Sequence, residues 1–372
     1  MPLTIAELTK AVGNGITPRM VRHYHQLGLM PQPDRSPGNY RLYSDCDVQR
    51  LKRIVALKRQ GFQLSHIRKL LEVEPETRQT QTLMMQLQQQ YHAVMQQITH
   101  LRQTAAALEG LLGRDQSCQT IQAQALAQLK QLEVESQAGL EKLWNGLDAQ
   151  VHAHPEKFQE SLQRLLPDLA DRSEIEVDLL EKLVLACGDV SLISFVRLSQ
   201  TPEQNALKAA RSALKAGCSI LTDSGIVASA LDQTRLAHLN CAVTSLIDNP
   251  HLQSAADVEQ EFWQDQSLKT RLYQLPPNSI LVIGYAPSVL LAACDAIVQQ
   301  MIQPALVIGM PIGFSHAPAA KRKLMRSKVP YITIEGSFGG GLLSATVLNA
   351  LAESLIAKPD CHCYLRDRSF KP

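Results

Sequence analysis

The sequence predicts two fold classes in one chain: an N-terminal all-α winged helix-turn-helix region with a long dimerisation helix, and a C-terminal α/β domain with a mainly parallel, doubly wound sheet. Two short amphipathic helices flank a Gly-Asn-Gly turn, a heptad seam follows, and short apolar strands then alternate with helices. The predicted domains are residues 1–75, a dimerisation helix at 79–112, a helical connector at 113–155, the α/β domain at 156–357 and a tail at 358–372.

Composition indicates a globular chain, with 45% hydrophobic and 19% charged residues and a net charge of only +2. The charge is uneven, because residues 1–75 hold twelve Lys and Arg against six Asp and Glu. A compact basic domain predicts a local anionic partner. The scattered cysteines, the absence of a signal peptide and the interruption of the most apolar stretch (279–298) by Gly284, Pro287 and Asp295 favour a cytoplasmic protein without a membrane span.

The first predicted helix covers residues 4–11, with Thr4 as its cap. The second begins at Thr17-Pro18 and ends at Gly28, so the pair has helix-turn-helix spacing. We expect the second helix to lie in the major groove with Arg19, Arg22 and His23 facing DNA. A wing at 31–43 and helices at 45–57 and 64–73 would complete the domain. The alternative is a small helical domain of another kind.

The motifs Thr17–Leu29, Asn39–Tyr43, Asp47–Leu51 and Gly61–Ile67 closely resemble the MerR family of regulators over residues 3–74. The resemblance implies a homodimer that binds promoter DNA and acts on RNA polymerase. It places Arg19 and Arg22 on the recognition helix, makes Tyr24 a support or backbone contact, and brings Arg41 of the wing to a phosphate. The predicted DNA-binding residues are Thr17, Arg19, Arg22, His23, Tyr24, Arg41 and Tyr43.

A long helix is predicted at 79–112, where apolar residues recur at steps of three and four: Leu83, Leu87, Tyr91, Val94, Ile98, Leu101, Ala105, Leu108 and Leu112. This heptad seam favours dimerisation, because two DNA-binding heads are needed to read a two-fold site. The alternative is a helix that packs on its own domain. The connector that follows ends near His152 and His154, which are more typical of polar surface than of metal ligands.

In the α/β domain, strands are predicted at 192–196, 219–221, 242–246, 280–283, 305–308 and 331–334, and helices at 203–216, 225–232, 255–273, 287–301, 315–326 and 342–357. Ligands of such sheets bind at the carboxyl ends of the strands. The loops there are residues 223–225, 284–288, 311–316 and 336–341. Several of these loops lead into the first turn of a helix, and the free N–H groups of a helix N-terminus suit carboxylates. The Gly336–Gly341 loop could equally be a tight turn.

Five segments, namely residues 186–189, 221–227, 284–291, 304–314 and 329–341, resemble precorrin isomerase, also called precorrin-8X methylmutase. The resemblance implies a pocket for a polycarboxylate tetrapyrrole at a homodimer interface. Its predicted residues are Asp223, Ser224, Ala286, Pro287, Ser288, Gly313, His316, Gly339, Gly340 and Gly341. It also implies a catalytic histidine where this chain has Leu185, and leucine carries no proton. We therefore expect no catalytic residue, and for His316 an ordinary loop histidine is the preferred alternative to a pocket residue.

The tail contains Cys361-His362-Cys363, whose thiols and imidazole suit Co(II), Ni(II) or Zn(II). The alternative is a tail with chance cysteines. The whole arrangement resembles cobalt-responsive MerR-family activators of cobalt efflux. The leading hypothesis is thus a regulator with Co(II) as effector that distorts promoter DNA. A sensor of a cobalamin-pathway tetrapyrrole is the alternative, and an active precorrin isomerase is the third hypothesis.

Overall fold

A computed structural model describes residues 3–13, 15–59, 61–72, 77–112, 157–201 and 203–357. The predicted connector and the Cys361-His362-Cys363 motif lie outside these residues. Within them, no helix is long and apolar enough to cross a membrane. The chain divides into two compact units, Met1–Leu111 and Leu112–Pro372.

The N-terminal unit is helical apart from one small hairpin. Its elements are α1 (Ile5–Val12), α2 (Pro18–Gln26), β1 (Asp34–Arg35), β2 (Arg41–Leu42), α3 (Asp45–Arg59), α4 (Leu64–Glu72) and α5 (Thr77–Leu112). Strands β1 and β2 pair antiparallel, with Asp34 opposite Leu42. The predicted helix-turn-helix, hairpin wing and long helix are therefore all present.

Local side-chain chemistry explains where the first two helices begin. Thr4 and Glu7 form a capping box, in which Thr4 Oγ1 accepts from the Glu7 N–H and Glu7 Oε2 accepts from the Thr4 N–H at 2.7 Å. Thr17 caps α2 by accepting from the Met20 N–H at 3.3 Å, and Pro18 follows at the first helical position. One apolar core joins α1 to α4: Leu8, Val12, Val21, Tyr24, Leu29, Met30, Tyr43, Val48, Leu51, Ile54, Val55 and Ile67.

Helix α5 differs from the other helices of this unit because large apolar side chains on it are exposed. They are Met85, Tyr91, Val94, Met95, Ile98, Leu101 and Leu108. Four of these residues belong to the predicted heptad seam, namely Val94, Ile98, Leu101 and Leu108. Tyr91 belongs to it too, because it lies in the one interval of the seam that is longer than four residues. Exposed apolar residues at heptad spacing need a partner helix to leave water.

The C-terminal unit alternates strands and helices. Its elements are α6 (Phe158–Leu165), α7 (Glu174–Cys187), a 3₁₀ helix (Val190–Phe195), β3 (Val196–Leu198), β4 (Gln200–Thr201), β5 (Gln204–Asn205), α8 (Ala206–Lys215), β6 (Ile220–Ser224), α9 (Gly225–Ser229), α10 (Gln233–His238), β7 (Val243–Ile247), α11 (Ala255–Gln264), α12 (Ser267–Tyr273), β8 (Ile280–Ile283), α13 (Pro287–Val298), β9 (Leu306–Gly309), α14 (His316–Met325), β10 (Tyr331–Ile334) and α15 (Gly341–Ala357).

The central sheet has six strands in the order β3-β10-β9-β8-β6-β7, parallel except for β3, which is antiparallel to β10. Side chains alternate along each strand, so Ile280 and Val282 join a core with α7, α8 and α15, while Leu281 and Ile283 join a second core with α11 to α14. Burial on both faces explains why these strands are continuously apolar. The predicted doubly wound, mainly parallel sheet is confirmed.

Three predicted elements of this unit were wrong in detail. The run 192–196 is mostly a 3₁₀ helix, because Asp189 caps it by accepting from the Ser191 N–H at 2.9 Å; the strand follows at Val196–Leu198. The helix predicted at 255–273 is two helices, since Asp265 accepts from the Ser267 N–H at 2.8 Å and starts a new one. The helix predicted at 225–232 ends at Ser229, and another begins at Gln233.

Candidate functional site

The first candidate surface is the exposed side of α2 and the wing. Arg19, Arg22 and His23 are exposed on α2, and Arg41 is exposed on β2. The charges of Arg41 and Arg22 both act on the Tyr43 hydroxyl, so the two elements bring their cations to one region. A helix and a wing that share exposed guanidinium groups suit the phosphates and base edges of a DNA groove.

Two predicted DNA-binding residues occupy a different place. Tyr24 and Tyr43 are each only 1% exposed and belong to the core, which favours support of α2 and the wing, one of the two roles expected for Tyr24. The Tyr43 hydroxyl lies 3.2 Å from His25 Nε2. Burial raises the pKa of Tyr43 and lowers that of His25. Thr17 is exposed, but its hydroxyl is the cap of α2.

Other arginines of this basic domain anchor the end of α2. Arg50 Nε donates to the carbonyl of Leu29 at 2.7 Å, and Arg68 Nη1 donates to that of Leu27 at 3.4 Å. Cations at a helix C-terminus also interact favourably with its dipole. Some of the basic residues therefore fix the orientation of α2. In the sequence, Arg50 and Arg68 look no different from the arginines expected to face DNA.

The second candidate site is the carboxyl edge of the parallel sheet, where the four predicted loops come together. Asp223, at the end of β6, accepts from the backbone of residues 284–286 after β8. The Gly313 N–H donates to Ser337 at 3.4 Å, and the Gly340 N–H donates to the carbonyl of Met310 at 2.8 Å. Asp223, Ser224, Ala286, Pro287, Ser288 and Gly341 are buried, Gly313, Gly339 and Gly340 are half-buried, and His316 is exposed.

Two of the loop glycines are required by close approach. A Cβ on Gly284 would lie 2.5 Å from Gly341 Cα, and one on Gly339 would lie 2.2 Å from the carbonyl oxygen of Met310. Gly339 also has a φ of +158°. The Gly336–Gly341 loop is thus a tightly packed turn that seats the start of α15 against the loop after β8.

Asp223 carries an unusual carboxylate. One oxygen, Oδ2, accepts from the N–H groups of Gly284 (3.0 Å), Tyr285 (2.6 Å) and Ala286 (2.9 Å). The other, Oδ1, and the neighbouring Ser224 Oγ are buried with no hydrogen-bond partner among the residues that the structure describes. Burial raises the pKa of Asp223 to about 6, against the lowering effect of the three N–H groups.

The N-terminus of α13 is filled by a second carboxylate. Glu259, on α11, accepts from the Ser288 N–H at 3.0 Å and from the Ser288 hydroxyl, and the Trp263 indole N–H donates to Ser288 Oγ at 2.9 Å. Glu259 Oε1 also lies 4.0 Å from His316 Nδ1. Together Asp223 and Glu259 occupy the N–H groups that sequence analysis expected to receive a ligand's carboxylate at α13.

A buried cation lies on the opposite side of the edge. Lys321, on α14, is 0% exposed, and its Nζ donates to the carbonyl oxygens of Gly336, at 3.1 Å, and Phe338. Desolvation lowers the pKa of Lys321 to about 8. Lys321 thus places a buried positive charge under the Gly336–Gly341 loop, whereas the carboxylates of Asp223 and Glu259 lie at the start of α13. Neither Lys321 nor Glu259 had a distinguishing sequence signal.

Leu185 lies elsewhere, on the exposed surface of α7. Its side chain is 50% exposed and lines a cleft of about 750 Å³ that none of the predicted tetrapyrrole residues lines. The cleft is bordered by Lys157, Phe158, Gln159, Glu160, Leu162, Gln163, Asp178, Glu181, Lys182, Leu185 and Glu353. In the described ranges there is no group of three His, Cys, Asp or Glu side chains placed to hold a metal ion.

Comparison with known families matches both parts of the chain. Residues 158–354 match the family described as precorrin-8X methylmutase. Residues 3–74 match the MerR HTH family of regulatory proteins, and residues 48–111 match the family described as MerR, DNA binding.

Individual relatives match the C-terminal half. The precorrin-8X methylmutase of Sinorhizobium sp. is 33% identical over 187 residues, covering 50% of this chain and 86% of the relative. That of Pseudomonas aeruginosa is 32% identical over 186 residues, covering 46% and 83%. The cobalt-precorrin-8 methylmutase of Synechocystis sp. is 31% identical over 150 residues, covering 40% and 67%. The solved precorrin-8X methylmutase of Thermus thermophilus is 31% identical, with a TM-score of 0.40, over 49% of this chain and 87% of that one.

Proposed function

The chain belongs to the precorrin-8X methylmutase family and begins with a MerR-type DNA-binding domain, and from this premise we propose that it is a cobalt-responsive transcriptional activator. In this proposal an effector at the C-terminal part controls how the head holds promoter DNA. The observation that carries the proposal is the fusion itself. A DNA-reading head joined to a ligand-binding fold provides the two sites that a ligand-controlled regulator needs.

The head would act as a dimer through α5. Its seam exposes Val94, Ile98, Leu101 and Leu108, and pairing with a second copy would bury them. Two copies would then present Arg19, Arg22 and Arg41 to two half-sites of a promoter. Effector binding would favour a state that bends or untwists the DNA and so aligns the elements that RNA polymerase reads. The effector must prefer that state by a few kcal/mol, which is what such a deformation costs.

The first effector candidate is Co(II), bound by the tail that contains Cys361, His362 and Cys363. Two thiolates and an imidazole suit a borderline divalent ion, and at least one further ligand is needed. The tail lies outside the described residues, so this candidate rests on the sequence motif. Titration of Co(II) into reduced protein should give a thiolate-to-metal absorption band in the near ultraviolet. The band should vanish in the variant Cys361→Ser/Cys363→Ser, and cobalt-dependent transcription should vanish with it.

The second effector candidate is a tetrapyrrole of the cobalamin pathway, and the carboxyl edge favours it. The four loops meet there, and the buried charge of Lys321 lies beneath one of them, a suitable place for a polycarboxylate. Binding of a hydrogenobyrinate-type ligand at micromolar strength or better, measured by quenching of tryptophan fluorescence, is the expected result. Absence of binding would leave the tail as the effector site.

A role in regulation is preferred to catalysis because of Leu185. Family resemblance expects a histidine at that position, and a leucine neither donates nor accepts the proton of a methyl migration. The third hypothesis, an active isomerase, is tested by incubating the purified chain with precorrin-8X. We expect no turnover, whereas conversion at a rate comparable to the enzymes would show that another group supplies the proton.

A further inference from the structure

The Glu259 cluster (Glu259, Trp263, Ser288 and His316) combines groups from three helices at the carboxyl edge. Glu259 and Trp263 come from α11, Ser288 from the start of α13, and His316 is the first residue of α14. Family resemblance drew attention to Ser288 and His316 only as loop residues. The contacts among the four side chains indicate a more specific role for His316.

Glu259 is held firmly, whereas His316 is presented to the outside. The carboxylate accepts from the Ser288 N–H and hydroxyl, and the Trp263 indole N–H lies 3.4 Å from its Oε1. His316 is 66% exposed on its side chain, with Nδ1 4.0 Å from Glu259 Oε1. A carboxylate has about four acceptor positions, so Glu259 retains capacity for the Nδ1–H of His316. At 4.0 Å the two atoms are not hydrogen-bonded, and a rotation of the exposed ring would be needed to bring Nδ1–H to the carboxylate.

This arrangement is the one that metal-binding histidines use. A ligating imidazole generally donates its other N–H to a carboxylate, which fixes the tautomer, orients the ring and makes the free nitrogen more basic. With Nδ1–H bonded to Glu259 after such a rotation, Nε2 of this exposed His316 side chain would carry the lone pair. A single such nitrogen is too little to hold a bare divalent ion. It suffices for a metal that already has four nitrogens from a macrocycle.

We infer that His316 is an axial ligand, through Nε2, to the cobalt of a metallated tetrapyrrole bound at the carboxyl edge. The inference rests on the proposed tetrapyrrole-sensing function and names how that site would read the metal. It would let the protein distinguish a cobalt-containing macrocycle from a metal-free one, because only the former forms the additional bond.

The surroundings of His316 suit a large flat ligand. Phe314, two residues earlier, is 91% exposed, and Ile312 is also exposed. Exposed aromatic and aliphatic surface next to a ligating nitrogen offers the apolar contact that a macrocycle face gains on leaving water. Trp263, 57% exposed, also belongs to the cluster, and its indole N–H is bonded to Ser288.

The test uses the full-length protein and cob(II)inamide, a cobalt corrinoid whose lower axial position is open, under anaerobic conditions. Electron paramagnetic resonance should show each cobalt hyperfine line split into three by one axial ¹⁴N, and into two when the protein carries ¹⁵N-labelled histidine. His316→Ala should remove the splitting. Glu259→Gln should keep it but weaken corrinoid binding about 10- to 100-fold. The matched control is His238→Ala, an exposed histidine that precedes β7 at the opposite end of the sheet, and it should leave the spectrum unchanged.

Each outcome has a defined meaning. Corrinoid binding without nitrogen splitting, or splitting that survives in His316→Ala, would overturn the axial-ligand inference while leaving tetrapyrrole sensing intact. Failure of the corrinoid to bind the wild-type protein, measured by fluorescence quenching, would overturn both. Splitting that depends on His316 supports the inference, and it cannot arise from the tail because all variants retain the tail.

Discussion

The two units of this protein use charged side chains in opposite ways. In the N-terminal unit, Arg19, Arg22 and Arg41 stand exposed over a small apolar core. In the C-terminal unit, Asp223 and Glu259 are turned inward and occupy the backbone N–H groups at the start of α13. Exposed cations therefore leave the first unit free to bind a polyanion, whereas carboxylates of the second unit occupy the N–H groups of its own helix end.

The difference also limits what the carboxyl edge can bind. Open sheets of this kind commonly offer helix N-termini to phosphates or carboxylates. Here the side of the carboxyl edge near α14 and α15, above Lys321, would have to take over the binding of such an anion. The α13 side instead offers a histidine backed by a carboxylate. The ligand that we propose, a cobalt-containing polycarboxylate tetrapyrrole, would use both sides, because it carries both carboxylates and a metal.

The largest expected effect is on stability, from Asp223→Ala. This change leaves the N–H groups of Gly284, Tyr285 and Ala286 buried without their acceptor, and unpaired buried groups cost about 1–3 kcal/mol each. We expect the C-terminal unit to lose on the order of 3 kcal/mol, measured by urea unfolding followed by circular dichroism. Asp265→Ala removes the exposed carboxylate that accepts from the Ser267 N–H at the start of α12. This change should cost about 1 kcal/mol. Equal losses in the two variants would contradict the special role of Asp223.

The next effect concerns the long helix. Leu101→Asp places a charge in the middle of the α5 seam, where it would be buried if two copies pair. Sedimentation should show a monomer, and affinity for a two-half-site promoter should fall about 100-fold because the two heads no longer bind together. Gln96→Asp, an exposed change on the face of the same helix away from the seam, should leave the dimer intact. A Leu101→Asp dimer would mean that the seam packs in another way.

A smaller effect is expected at the recognition helix. Arg22→Ala should weaken binding to the specific promoter by about 1–3 kcal/mol, as for a lost base contact, and reduce discrimination against unrelated DNA. Fluorescence anisotropy with both DNAs at fixed salt measures this. Arg53→Ala, also exposed but on α3, is the control. A uniform loss on both DNAs would assign Arg22 to phosphate instead.

The smallest effect is a pH dependence from Asp223. Its pKa is raised from 3.8 to about 6 in the folded protein, so the folded state binds the proton more tightly than the unfolded state. The stability from this group is complete below pH 4 and is lost as pH rises through 6. Asp223→Asn should therefore show a flatter stability profile between pH 4 and 7 than wild type. Asp257→Asn tests the sign, because the pKa of Asp257 is lowered and its contribution falls as pH decreases.

Sequence patterns predicted the order of helices and strands well, because each element buries one face with its own period. They failed at 192–196, where an apolar run reads as a strand but Asp189 starts a 3₁₀ helix. The loop residues at the carboxyl edge were also predictable, since they follow strand ends. The sequence did not predict that a carboxylate occupies the N–H groups of these loops. Glu259 lies on an ordinary amphipathic helix, and only the fold brings it to Ser288.

Burial likewise separated residues that look alike in sequence. Tyr24 and Tyr43 sit beside Arg22 and Arg41 in the motifs, yet the tyrosines fill the core and the arginines face outward. Arg50 resembles any surface cation until the fold shows it bonded to the carbonyl of Leu29. Short-range patterns give a residue's element, whereas the direction of a long side chain depends on contacts from distant segments.

If an effector of the C-terminal part controls the DNA-binding head as we propose, transcription must respond to that effector. Promoter fragments would be selected by binding to the full-length protein, and transcripts from the selected promoter then measured with purified RNA polymerase. We expect Co(II) or a cobalt corrinoid to raise transcription at least several-fold in wild type. A promoter that is bound but transcribed equally with and without either effector would contradict it.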